Sequence, residues 1–194
     1  MPSRAYVRKQ GSQKTYTLTH VELINDEDVP QFKQLGVTAD FQVGSDYVVQ
    51  HDHEWANALL GARRAKAMMN LDAILKTDAN ITLSSDWNVH DINPLVGIAN
   101  SSIMGKTGLT NIYTAIDAYT LNAAKSLGID DITDTIEVGK SADFAILNKN
   151  ITTLSARGIA KTQVLMTVLR GDVVWCIRRT IKTNLILNLR NCFY

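Results

Sequence analysis

Ile81–Ser85 (ITLSS) is the stretch on which the fold turns, a short run of β-formers that delivers Asp86 at its carboxyl end. Upstream of it, Glu54–Lys76 is mostly helical, with a break near Gly61; Ala65, Met68, Met69, Ala73 and Ile74 recur at helical spacing. Before that helix, Val37–Val43 (VTADFQV) reads as a second strand. Tyr16–Leu23 (YTLTHVEL) alternates β-formers with polar residues and reads as a third, ending near His20. Between those two strands Asn25 or Asp26 opens a short helix. Its first turn carries Glu27 and Asp28, where the helix dipole favours acids, Pro30 is early enough to be tolerated, and Gly36 ends it. Downstream of Asp86, Thr110 is expected to cap a helix over Asn111–Leu127. Ile112, Ala115, Ile116, Tyr119, Ala123 and Leu127 form its apolar stripe, and Gly128 is its C-cap. Strand and helix alternate, which predicts an α/β fold with a parallel sheet.

The texture changes at Asp130. Short strands are expected at Thr135–Val138, Asp143–Leu147, Val164–Arg170 and Val173–Trp175, punctuated by Gly139-Lys140 and Gly171-Asp172. These predict a small β element after the α/β part.

With 194 residues, 45% apolar and 20% charged, the chain has the make-up of a globular protein with a buried core. It has no apolar run long enough to span a membrane and no secretory h-region near Met1–Gly11, so the expected location is cytoplasmic, with no membrane partner. Cys176 and Cys192 both fall in the last segment, too few and too lopsided for a disulfide framework. Charge is uneven. Arg4, Arg8, Lys9 and Lys14 stand in residues 1–19, and Arg178, Arg179, Lys182 and Arg190 in residues 176–194, without a single acid. The body from 20 to 175 then holds 12 basic against 19 acidic residues. Basic ends either contact an anionic partner or stand outside the fold; no nucleic-acid motif accompanies them, and no nucleic-acid partner is expected.

Two polar residues stand at the carboxyl ends of strands, where α/β barrels place their chemistry: His20 and Asp86. A neutral imidazole and a carboxylate are natural ligands for a divalent ion such as zinc. The same types also serve plain structure, His20 as a hydrogen-bonded residue and Ser84-Ser85-Asp86 as a helix N-cap. His51-Asp52-His53 follows a polar stretch and precedes a helix, which predicts a loop rather than a ligand pair. His90, four residues past Asp86, either lines a substrate pocket or is solvated.

Several phrases carry a resemblance. His20-Val21-Glu22 is followed by Asp28-Val29-Pro30, Leu35-Gly36-Val37 and Phe41-Gln42-Val43. Leu83-Ser84-Ser85-Asp86-Trp87-Asn88-Val89 precedes Asn93-Pro94, and Ala118–Ala124 (AYTLNAA) leads to Ile136–Phe144 (IEVGKSADF). From roughly Thr15 to Trp175 the chain resembles the C-terminal part of the amidohydrolase superfamily, in the branch that includes N-substituted formamide deformylase.

The resemblance implies the last portion of a metal-dependent hydrolase (β/α)8 TIM barrel plus a small β-sandwich-like composite domain. It divides the chain into a basic extension (1–14), barrel strands six to eight (15–128), a β-domain segment (129–175) and a divergent basic tail (176–194). By position His20 matches a metal ligand, and Asp86 matches the ligand that shuttles the proton. Arg64 matches a recurring arginine that contacts substrate, or else is a surface charge, and His90 joins it as a candidate substrate contact. The cofactor implied is a divalent metal, zinc by type, and the substrate a small amide-like molecule cleaved at a carbon–nitrogen bond that is not a peptide bond. The family's H-x-H after strand one, its bridging ligand after strand four and its histidine after strand five have no counterpart here. The chain is therefore expected to be incomplete as an isolated enzyme. The alternative is an inactive fragment, or a module that binds a separate N-terminal half or oligomerises through open barrel edges.

Overall fold

The computed structural model describes residues 15–44 and 54–177, so the basic ends, His51, His53 and Cys192 lie outside the described residues. Three strands, β1 (Tyr16–Thr19), β2 (Val37–Gln42) and β3 (Ile81–Ser84), form a parallel sheet in sequence order. Tyr16 pairs with Val37 and Ala39 with Ile81, so all three carboxyl ends lie at one end of the sheet.

Parallel neighbours require crossovers, and helices supply them. α1 (Val29–Leu35) links β1 to β2; Pro30 sits in its first turn and Gly36 closes it at φ 65°. The helix starts later than Asn25, because Asn25–Asp28 is spent on a turn in which the Asp28 amide donates to the Asn25 carbonyl. The stretch after residue 54 is broken twice, into α2 (Glu54–Leu60), α3 (Ala62–Ala65) and α4 (Leu71–Leu75). Gly61 makes the expected break with φ 75°, and Asn70 makes the second by capping α4 through the Ala73 amide.

Beyond β3 come α5 (Pro94–Ile103), α6 (Ile112–Tyr119) and α7 (Leu121–Leu127). The expected single helix over 111–127 is thus two. Thr120 divides it: its hydroxyl donates to the Ile116 carbonyl (2.9 Å), a back-bond that bends helices, and its backbone leaves the helical region. The cap is Asn111 rather than Thr110, its side chain accepting from the Tyr113 amide. The break re-phases the apolar stripe, so Ala118 and Ala124 are buried while Leu127 is 65% exposed.

The second sheet is antiparallel: β4 (Phe144–Leu147), β5 (Val164–Leu169) and β6 (Asp172–Cys176). The strand expected at Thr135–Val138 does not form. Its alternation supplies β-propensity but no neighbouring strand pairs with it, and Ile136 and Val138 stand in solvent. The link between β4 and β5 includes α8 (Ala156–Ala160), whose Ile159 enters the same core as Phe41, Ile81 and Leu95. The link between β4 and β5 therefore packs into the core of the α/β part.

The Gly139–Phe144 phrase is structural. Gly139 turns at φ 98°, the Ser141 amide donates to the Ile132 carbonyl (2.7 Å), and Lys140 donates to Asp134, whose side chain is 3% exposed. That bond holds the Asp134 carboxyl below the usual range, and the Arg170 amide does the same for Asp143. Folded-state carboxyl pKa values that lie below their unfolded ones stabilise the protein above about pH 4, and the contribution is lost as pH falls through the folded values. The melting temperature is accordingly expected to drop on acidification below about pH 4. In Lys140→Met the drop should be shallower, and an unchanged slope would show that the tie contributes nothing.

Both outer strands of the parallel sheet, β1 and β3, have an edge that no strand pairs among the described residues. β1 is exposed along its length, and beside it a groove of ≈ 400 Å³ is lined by Leu18, Val21, Leu23, Phe32 and Leu35 among others. No helix of the described residues is long and apolar enough to cross a membrane.

Candidate active site

The parallel sheet has two unlike faces, fixed by the two-residue period of a strand. Ala39, Phe41 and Val43 alternate with Thr38, Asp40 and Gln42, and the first set lies in the core against the helices. The register puts Thr17 and Thr19 of β1, and Thr82 and Ser84 of β3, on the second face with Asp40 and Gln42. A parallel strand buried on both sides ordinarily reads as a continuous apolar run, so this polar stripe is unusual.

Its side chains are joined. Asp40 Oδ1 accepts from the Thr82 hydroxyl (2.9 Å), and Oδ2 accepts from the Ser84 hydroxyl and from Gln42 Nε2 (both 2.9 Å). Gln42 Nε2 also donates to Ser84 Oγ (3.0 Å). The sequence reading missed this layer; the signal available was the run Thr38-Ala39-Asp40-Phe41-Gln42, polar at every second place.

Above it is the carboxyl rim. His20 follows β1 directly, and Asp86 follows β3 by two residues. Both are exposed and both hold left-handed backbone, at φ 75° and φ 51°, as does Val21 at φ 42°. Such conformations cost roughly 1–3 kcal/mol for residues other than glycine, and they concentrate where side chains are aimed at a ligand. β2 separates the two strands, which sets their backbones roughly 10 Å apart at about 4.8 Å per strand spacing.

His90 comes to the same end. It is half-buried, and its Cβ lies 3.0 Å from where a Cβ on Gly44 would stand, with the Asp91 carbonyl at 2.7 Å. Glycine is required at position 44 because the loop after β3 presses on the end of β2. Arg64 is used differently: exposed on α3, it donates from Nε to the Leu60 carbonyl (2.8 Å), tying the end of α2 across the Gly61 break.

Tyr119, on the helix side of the sheet, has its phenol pushed up from the ordinary range by burial, with the negative charge of Asp40 adding to the effect. A Cβ on Gly97 would meet the Tyr119 hydroxyl at 1.9 Å, so α5 reaches its place over β2 because residue 97 lacks one.

A divalent ion needs several ligands that converge on one point. His20 and Asp86 are two candidate ligands, and among the described residues no group of three or more His, Cys, Asp or Glu could hold a metal. A structural zinc site takes four protein ligands and a catalytic one usually three. The described residues alone do not fit an ion.

Parallel strands in sequence order, helical crossovers and polar side chains at one carboxyl rim define an α/β protein with a parallel sheet, three strands of which lie among the described residues. The chain belongs to the amidohydrolase family, whose model matches residues 3–175. It is 28% identical over 146 residues to Protein LONG AFTER FAR-RED 3 of Arabidopsis thaliana, covering 71% of this chain and 25% of that protein. It is 29% identical over 137 residues to imidazolonepropionase of Agrobacterium fabrum, covering 70% of this chain and 29% of the relative. Among solved structures, an adenosine deaminase from Xanthomonas campestris with bound zinc superposes with a TM-score of 0.61 at 19% identity, over 87% of this chain and 38% of that one. The chain thus spans between a quarter and two-fifths of the length of these proteins.

Proposed function

We propose that the chain contributes part of the active site of a hydrolase that cleaves carbon–nitrogen bonds other than peptide bonds in small amide-like molecules. His20 is read as a ligand of a divalent metal, zinc by ligand type, and Asp86 as a ligand that also carries the proton. His90 is read as a substrate contact; for Arg64 the same role stands on the sequence resemblance alone. The observation that carries the proposal is the shared rim: His20 and Asp86 follow β1 and β3 of one parallel sheet, each on left-handed backbone. Relatives named imidazolonepropionase and adenosine deaminase support carbon–nitrogen chemistry, and a bound zinc in the latter supports the metal. The phrases around His20, Asp86 and Gly139–Phe144 support a place in the branch with N-substituted formamide deformylase. Further ligands must come from outside the described residues, and the unpaired edges of β1 and β3 are the seams where neighbouring barrel strands would join.

Manganese(II) titration of the isotopically labelled chain tests the shared rim. Paramagnetic broadening is expected to centre on residues 20 and 86 together at millimolar ion, and His20→Ala or Asp86→Asn should relieve it at both places. Broadening at one of the two alone, or elsewhere, would refute the site.

A further inference from the structure

We propose that Asp40 and Gln42 form a subsite for a cationic N–H group, an ammonium or an amidinium, in the layer beneath the rim. The inference rests on reading that rim as a substrate site, and it names the substrate's recognised end.

Two deficits point to this ligand. Asp40 is a half-buried carboxylate whose hydrogen-bond partners among the described residues, Thr82, Ser84 and Gln42, are all neutral donors. The salt bridges of the described residues are Lys76 with Asp72 and Lys140 with Asp134, so no cation among them pairs with Asp40. The second deficit is an orphan. Gln42 is 5% exposed, and its Oε1 is buried without a hydrogen-bond partner among the described residues.

The amide cannot be turned round to cure it. Nε2 faces Asp40 Oδ2 and Ser84 Oγ, and exchanging the two ends would set the amide oxygen against a carboxylate oxygen. Neither neighbouring hydroxyl can serve Oε1, because each has one hydrogen and has given it to Asp40. The layer has acceptors and negative charge in excess. A ligand bringing N–H donors with positive charge satisfies both, a neutral donor satisfies one, and an anion is repelled. Asp40 and Ser84 stay half-buried, so the ligand would reach Asp40 from solvent, and a side-chain shift would uncover Gln42 Oε1 as it binds.

The test is a nuclear magnetic resonance titration of the full chain, without divalent metal, using ethylammonium and tetramethylammonium. The second ion carries the charge but no N–H. Ethylammonium is expected to shift the Gln42 side-chain amide and the backbone amides of residues 40–42 and 82–84 saturably, with tetramethylammonium giving no saturable change. Asp40→Asn and Gln42→Met should each weaken binding about tenfold, the loss expected for one charge-assisted hydrogen bond. Should Asp40→Asn fail to fold, Gln42→Met decides. Equal responses to both ions, no response, or binding unchanged in Gln42→Met would overturn the subsite. If manganese broadening also failed to centre on residues 20 and 86, the hydrolase reading would fall separately, since the amine titration uses no metal.

Discussion

Phe41→Ala is expected to lower the free energy of unfolding by about 3–5 kcal/mol, the range for removing a large aromatic ring from a packed core. Phe41 is fully buried in the middle of β2, and it belongs to one cluster with Leu71, Ile74, Ile81, Leu83 and Leu95. That cluster gathers side chains from the sheet, from α4 and α5, and from α8, so a cavity at its centre loosens every element at once. Domains are stable by roughly 5–15 kcal/mol, and the described parallel sheet, three strands with two unpaired edges, has little reserve. Urea denaturation should show a much lower midpoint, or no cooperative folded baseline, in the variant. Leu35→Ala, at a position 68% exposed, should change the same measurement by about 0.5 kcal/mol or less. A loss below about 1 kcal/mol for Phe41→Ala would mean that this cluster is not the core.

The parallel part of the fold was legible because its signals are local. The β-forming runs at 16–19, 37–42 and 81–84, the break at Gly61 and the cap at Gly128 all sit where residue chemistry puts them. What escaped depended on partners distant in sequence. α5 was invisible to periodicity because it is buried on more than one side and its buried residues include Gly97, Asn100 and Ser101. Asn100 is there to donate to the Val43 carbonyl (2.8 Å), a contact that no local pattern encodes. Thr135–Val138 shows the converse, a β-pattern whose ladder partner is missing. At the site, His20 and Asp86 could be read from their places after strands. Asp40 and Gln42 could not, because their meaning comes from the register between β2 and β3.

The second large effect is on metal retention, because the described residues of this chain are proposed to supply two ligands, His20 and Asp86, of a larger site. A tightly held zinc exchanges most of its water for three or four protein donors, and two donors about 10 Å apart in backbone replace too little of it. The purified 194-residue chain, loaded with zinc and dialysed, is expected to retain far less than one ion per molecule by elemental analysis. Retention near one zinc per chain, lost in both His20→Ala and Asp86→Asn, would contradict the account and show that this polypeptide completes its own metal site.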